Sequence, residues 1–354
     1  MPVKDDAVRP AIRAEGPLER IAFALNLAPV PAAEGLFLPA VARSVMAGVR
    51  LGIFGSLARR PAGADQLAQE LGLAPEGTRL LLNALVAVGH VRSDGPRYSL
   101  TRQARRWLDP SSDLYIGDYV LDTIEYWAWW DRLEDVVRTG NSVELHERAP
   151  DDPYWRVYIR GQYQLARVSA PEVARALRLP RQSRALLDVA GGHGWFSAAL
   201  CRRHPALTAT VLDLPGSAAV GREIIAEAGM SDRVRHVEGD LATSDFGGPY
   251  DAVLCFNIAH HLTPEQNVAL LRKAGAALAP GGTLAVLDLF TKPGPPKGDA
   301  GDYLGLFFYM TSAAATYSPD ELRSWLEQAG FERPRRVKIR RIPVQTLYAS
   351  RKQP

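Results

Sequence analysis

Along this chain the spacing of apolar positions changes character near residue 183. Before it, leucines and alanines recur at helical intervals, as over 64–71 and again over 76–88, joined by a short turn at 72–75. Residues 90–100 then read as two short strands about Asp94 and Gly95, which predicts a helix-turn-helix followed by a wing. After it, apolar runs at 186–189, 208–214, 234–240, 251–257 and 283–290 alternate with helical segments such as 264–278, the pattern of a parallel sheet with helices on both faces. The last two runs, 335–342 and 344–351, are separated only by Pro343 and are predicted to pair antiparallel at the sheet's end. Leu179-Pro180-Arg181-Gln182-Ser183 is the natural boundary, giving domains over 1–180 and 181–354.

Composition narrows the class. Hydrophobic residues make up 47% of the 354, which excludes disorder, and 42 basic against 39 acidic residues leave a net charge of +3, too little to imply nucleic acid. The second helix of the winged segment carries only Arg79 among Leu80, Leu81, Leu82, Ala84, Leu85, Val86 and Val88, so it suits packing and dimer formation better than DNA. Cys201 and Cys255 lack a C-x-x-C partner and read as buried thiols rather than a disulfide or zinc framework. The apolar run at 21–33 resembles a secretory leader. Asp5, Asp6, Glu15 and Glu19 contradict a basic leader, however, and Pro29 and Pro31 interrupt the run short of a membrane span. The expectation is a cytoplasmic protein with no membrane partner. Tyr115, Tyr119, Tyr126, Trp127, Trp129, Trp130, Tyr154, Trp155, Tyr158 and Tyr163 must be buried in a core or dimer contact, a subset of them serving to cap a small apolar ligand.

The richest stretch is Leu186-Leu187-Asp188-Val189-Ala190-Gly191-Gly192-His193-Gly194, a strand running into a glycine turn that opens a helix. Asp213 closes the next strand, 25 residues after Asp188. In a parallel sheet this sets a bare backbone turn beside a carboxylate at the carboxyl ends of neighbouring strands, a pairing that suits an adenosine ribose. The glycines do not follow the dinucleotide fingerprint G-x-G-x-x-G. A turn that holds no ligand remains the other reading of the segment.

The combination of the winged segment, Asp188 to Gly194, Asp213-Leu214-Pro215, Gly239-Asp240-Leu241, the strand leading into His260, and Leu278-Ala279-Pro280-Gly281-Gly282 resembles the S-adenosylmethionine-dependent O-methyltransferases related to caffeate, hydroxyindole and bacterial natural-product enzymes. The resemblance spans nearly the whole chain. It implies an α/β fold, a Rossmann-like doubly wound sheet of class I methyltransferase type, behind an N-terminal helical winged-helix dimerisation domain, and a homodimer. By position it implies that Gly191, Gly192 and Gly194 hold the methionine end of S-adenosylmethionine, Asp213 the ribose, and Asp240 with Leu241 the adenine, with Leu214 a further cofactor-binding residue. Asp188 braces the turn, and Asn257 is a further cofactor-binding residue. Ala190 stands where many members have glycine.

His260 falls at the family's general base and Asp288 at the first of its two acidic partners; Thr316 falls at the second, His261 replaces an acid and Leu262 an aromatic residue. A base strengthens a hydroxyl nucleophile by removing its proton during in-line displacement at a sulfonium. The competing reading of His260 is a strand-end histidine satisfied by backbone, and His261 reads as a capping or solvent-facing residue. Adjacent strand residues point to opposite faces, so no metal is expected there. The resemblance implies methyl transfer to a small aromatic or polyketide-like hydroxyl. The alternatives are C- or N-methylation on the same scaffold, a repurposed cofactor-binding enzyme, or a winged-helix regulator. Acceptor-pocket residues are expected in the aromatic collar and in 302–310 and 313–317, beside a mobile connection at Gly294, Pro295 and Pro296.

Overall fold

The computed structural model describes residues 16–291, 298, 300–340 and 345–353. Gly294, Pro295, Pro296 and Pro343, like Asp5, Asp6 and Glu15, lie outside the described residues. The chain divides into two compact units, 1–124 and 125–354. The boundary expected at 180 is therefore displaced. The segment 125–180 belongs with the sheet, because its longest helix lays Ala166, Ala170, Val173 and Ala174 into one face of the sheet's core.

The first unit contains α1 (Pro17–Ala24), α2 (Val30–Arg50), α3 (Ile53–Arg59), α4 (Ala64–Leu71), α5 (Pro75–Val88), the hairpin β1 (Val91–Ser93) and β2 (Tyr98–Leu100), α6 (Arg102–Trp107) and α7 (Gly117–Asp122). The helix-turn-helix and wing stand where the apolar spacing set them. Gly72 ends α4 in the left-handed region and Pro75 opens α5, each at the position its backbone suits. Val91 pairs with Leu100 and Ser93 with Tyr98 across the Asp94–Gly95 turn. Phe54, Leu57, Leu67, Leu82, Leu85 and Leu100 form the core, and Arg79 is held by Glu76 on its own helix.

Helix α2 corrects the reading of 21–33. Pro31 lies in its first turn, where proline is compatible with helix, so the run continues for 21 residues through Pro39. By length and composition alone α2 is able to cross a membrane. Its C-terminal part packs into the unit, with Met46 and Gly48 buried, whereas Leu36, Phe37, Leu38 and Val41 are exposed.

The second unit carries α8 (Tyr126–Trp130), α9 (Leu133–Thr139), α10 (Tyr154–Ala176), β3 (Ala185–Val189), α11 (Trp195–Arg203), β4 (Thr208–Asp213), α12 (Pro215–Glu227), β5 (Val234–Glu238) and β6 (Tyr250–Phe256). There follow α13 (Pro264–Ala277), β7 (Leu278–Asp288), α14 (Ala300–Ser312), α15 (Pro319–Gln328), β8 (Arg335–Val337) and β9 (Thr346–Arg351). Strand order is β5-β4-β3-β6-β7-β9-β8. The strands from β5 to β7 are parallel, and β9 runs antiparallel between β7 and β8. Chain order reverses at the β3–β6 boundary, where open α/β sheets form their ligand crevice. Alternate residues of each strand feed opposite cores: Leu186, Val211 and Leu254 on one face, Leu187, Leu212 and Val253 on the other.

Helix α13 is capped reciprocally. Thr263 Oγ1 accepts from Gln266 N, and the Gln266 side chain accepts from Thr263 N. Thr263→Ala is expected to cost about 1 kcal/mol, read as a lowered urea midpoint with unchanged slope. An unchanged midpoint would show that the cap is not a stabilising element.

Candidate active site

At the end of β3 the chain enters the left-handed region three times, with φ of +53° at Ala190, +49° at Gly192 and +65° at Gly194. Glycine is required next to Asp188 as well, since a Cβ on Gly191 would lie 2.5 Å from Asp188 Cγ. The side chain that grips this turn comes from β4. Gly192 N donates to Asp213 Oδ2 at 2.6 Å, and Leu214 N donates to Asp213 Oδ1 at 2.7 Å. Gly239 N donates to the Asp213 carbonyl at 2.9 Å, which joins the third strand end to the first two. Asp188 lies beneath, 1% exposed; Ser197 Oγ donates to its Oδ2 at 2.7 Å, while its Oδ1 has no partner among the described residues. The bracing expected of Asp188 thus reaches the first turn of α11, and the turn's amide is taken by Asp213.

The other expected cofactor residues occupy the same sheet edge in different ways. Asp240 is exposed and turns on itself, its Oδ1 accepting from Ala242 N at 2.6 Å and Thr243 N at 3.2 Å. Leu241 packs against the core, and its carbonyl accepts from Lys273 Nζ at 2.7 Å. Asn257 has φ +55°, and its Oδ1 accepts from Gln345 Nε2 at 2.5 Å. Sequence reasoning missed Lys273 of α13 and Gln345 just before β9, which belong to no local motif. It missed also His236 on β5, whose Nε2 lies 2.9 Å from the Gly192 carbonyl.

Burial pushes the Asp188 carboxyl up to about 7, with the Asp213 charge adding to the effect, and pushes Asp213 up to about 6 against the lowering pull of its amide bonds. Neither forms an ion pair with a basic side chain among the described residues. These residues fit S-adenosylmethionine. Each Asp213 oxygen keeps a lone pair for a sugar hydroxyl after accepting one amide, and half-buried Asp213 with buried Asp188 gives the turn an acidic lining that complements a positively charged ligand.

Beyond β6 the chain makes a single 3-10 turn, Ala259–His261, before α13. Asp288 at the end of β7 organises it. Ala259 N donates to Asp288 Oδ2 at 2.9 Å, Leu289 N donates to Oδ1 at 2.7 Å, and His260 Nδ1 lies 2.5 Å from Oδ1. Asn267 on α13, absent from the sequence reading, donates through Nδ2 to the carbonyls of Ala259, Leu262 and Thr263. Tyr317 Oη donates to the Leu262 carbonyl at 2.6 Å. The His260 ring is 6% exposed and stacks on Phe308 of α14 at 4.0 Å between centroids. Thr316 contributes no hydrogen bond to His260; Asp288 is the imidazole's hydrogen-bond partner among the described residues.

His261 departs from expectation. In a 3-10 turn successive side chains diverge by about 120°, against about 180° in a strand, and here its ring lies 4.3 Å from that of His260. It is half-buried rather than turned to solvent. Its Nδ1 meets Ser312 Oγ at 2.8 Å, and the His146 ring stands edge-on at 4.7 Å. Burial, with His260 nearby, holds His261 well below the ordinary histidine range and His146 down to about 4, so both are neutral at pH 7. Among the described residues no group of three or more His, Cys, Asp or Glu side chains is arranged to hold a metal ion. Beside these histidines Phe307 packs on Tyr126 and Trp129, and Tyr154 stacks on Tyr158 at 5.4 Å.

The Asp213 carboxyl has a checkable pH signature. Its folded value lies above the ordinary 3.8, so it stabilises while protonated, and that contribution is lost as pH rises through about 6. The urea midpoint of Asp213→Asn, relative to the unsubstituted protein, is expected to rise between pH 4 and pH 6 and level off above. A pH-independent difference would contradict the shift.

Comparison with known proteins agrees with this geometry. Residues 130–332 match a family model described as an O-methyltransferase domain, and residues 36–110 match one described as an O-methyltransferase dimerisation domain. The chain is 30% identical to the 3-hydroxy-5-methyl-1-naphthoate 3-O-methyltransferase of Streptomyces sahachiroi, over 84% of this chain and 88% of that one. It is likewise 30% identical to the tetracenomycin polyketide synthesis 8-O-methyl transferase TcmO of Streptomyces glaucescens, over 82% and 87%. In fold it is similar to human N-acetylserotonin methyltransferase, solved in complex with SAM, with a TM-score of 0.80 at 19% identity, covering 97% of this chain and all of that one. With more than half its length matched by the catalytic family model and a dimerisation module ahead of it, the chain belongs to the S-adenosylmethionine-dependent O-methyltransferases.

Proposed function

We propose that this enzyme methylates a hydroxyl of a small aromatic or polyketide-like acceptor, with His260 as general base and Asp288 as the group that orients it. The observation that carries the reading is the His260–Asp288 pair, at 2.5 Å and buried. A carboxylate can only accept, so Nδ1 carries the proton and Nε2 is the bare nitrogen. No described residue takes up Nε2. Stacking on Phe308 keeps the ring from rotating away. S-adenosylmethionine supplies an electrophilic methyl group on a sulfonium. His260 Nε2 accepts the hydroxyl proton as the oxygen–methyl bond forms, and Asp288 stabilises the resulting imidazolium; the products are the methyl ether, S-adenosylhomocysteine and, once His260 is relieved, a proton. The turn at Gly191, Gly192 and Gly194 with Asp188, Asp213, Leu214, Asp240, Leu241 and Asn257 binds the donor.

The aromatic acceptor is supported by Tyr126, Trp129, Trp130, Phe307 and Met310, packed together within the catalytic unit, and by the naphthoate and polyketide named for the two relatives. The neutral imidazoles of His261 and His146 add polarity without charge. The same reading makes the enzyme a cytoplasmic homodimer that binds neither nucleic acid nor membrane. In support, both cysteines are free thiols, the Arg79 charge is spent on Glu76, and the exposed apolar residues of α2 lie in or beside the dimerisation match.

Two measurements test this. With hydroxylated naphthalenes as acceptors and S-adenosylhomocysteine release as readout, His260→Ala is expected to lower kcat by about a hundred- to ten-thousandfold, with S-adenosylhomocysteine affinity changed less than about twofold. Undiminished turnover would remove the base. By light scattering the protein is expected at twice the mass of one chain, and Phe37→Asp, which sets a charge on the exposed apolar stretch of α2, to shift it toward monomer. A monomeric parent would refute the dimer.

A further inference from the structure

Gly192 is held at both ends of its residue by side chains from two different strands. Its N–H donates to Asp213 Oδ2 from β4, and its carbonyl meets His236 Nε2 from β5. A carbonyl can only accept, so His236 carries its proton on Nε2, and Nδ1 is the bare nitrogen. Nδ1 is itself buried without a partner among the described residues. Three glycines surround the ring. A Cβ on Gly221 of α12 would lie 2.3 Å from both His236 Nε2 and the Gly192 carbonyl, and one on Gly194 would lie 3.0 Å from His236 Cε1. The imidazole is therefore packed closely between the glycine turn and α12.

We infer that His236 is a positioning residue for the methyl donor: it fixes the Gly192 carbonyl and so presets the turn that the donor binds. This rests on the donor-site reading above. The physical reason is entropic as well as geometric. Gly192 sits at φ +49° in a residue type with wide conformational freedom, and one amide bond to Asp213 leaves its carbonyl end unrestrained. Locking that end before the ligand arrives removes an ordering cost that binding would otherwise bear. It also satisfies a carbonyl that would be costly to bury alone. Burial holds the ring well below the ordinary histidine range, to about 4, so it stays neutral while it donates.

Calorimetric titration of the full-length protein with S-adenosylhomocysteine tests the inference. His236→Leu keeps bulk without a donor, and its Kd is expected to rise about tenfold, with a matching rise in KM for S-adenosylmethionine. His236→Gln, whose amide N–H reaches the Nε2 position, is expected to restore affinity to within about threefold. Gly221→Ala attacks the same contact from α12 and is expected to weaken binding in the same direction. In the unsubstituted protein, nitrogen-15 NMR is expected to report the Nε2–H tautomer of His236 and a shift of its signals on adding S-adenosylhomocysteine. This readout decides the matter if the leucine variant fails to fold. Unchanged affinity in folded His236→Leu, an Nδ1–H tautomer, or signals indifferent to the ligand would overturn the inference while leaving the donor site standing. A protein that binds no S-adenosylhomocysteine at all would remove both.

Discussion

A carboxylate at the end of one parallel strand reaches across to take a backbone amide of the turn after its neighbour, and the second unit uses this bond on both sides of its crevice. Asp213 of β4 accepts from Leu214 N and from Gly192 N of the turn after β3. Asp288 of β7 accepts from Leu289 N and from Ala259 N of the turn after β6. Each aspartate thus satisfies its own strand end and shapes the adjacent turn. The two turns flank the point where strand order reverses. The glycine turn and the turn that carries His260 are shaped by the same device, repeated once across β3 and β6.

The difference between the two aspartates is what each has left over. Asp288 spends its remaining capacity on His260, which fixes the orientation of that imidazole. Asp213 has no basic partner among the described residues and lies near Asp188, so burial raises both. With no basic partner among the described residues, that pair is a local instability. Functional sites commonly hold such perturbed groups because the ligand, rather than the fold, supplies the missing charge.

Most of this architecture was legible in the chain because strands covered on both faces produce uninterrupted apolar runs, and the turns between them need glycine at left-handed positions. Asp188, Asp213, His260 and Asp288 stand at strand ends or in the turns just beyond, where a sequence pattern reveals them. Other features could not be read so. Pro31 looks like a breaker until the helix around it shows that it occupies the first turn. The boundary at 180 follows a proline-containing linker, yet packing assigns α10 to the sheet, a tertiary preference that local composition does not carry. His236, Asn267, Lys273 and Gln345 reach the site from other elements, and only the fold brings them there.

The placement of His261 shows how a small local choice changes the chemistry available. Had 257–261 continued as a strand, the two imidazoles would point apart and His261 would meet solvent or a second layer. The chain instead makes one 3-10 turn, held by Asn267 across three carbonyls and by Asp288 at its first amide. That turn gathers His260, His261 and, from the 141–150 loop, His146 beside Phe308. Because burial keeps His261 and His146 neutral, they do not compete with His260 for Asp288 or repel a proton arriving there. His260 therefore sits in surroundings that are polar but uncharged, where Asp288 is its hydrogen-bond partner among the described residues.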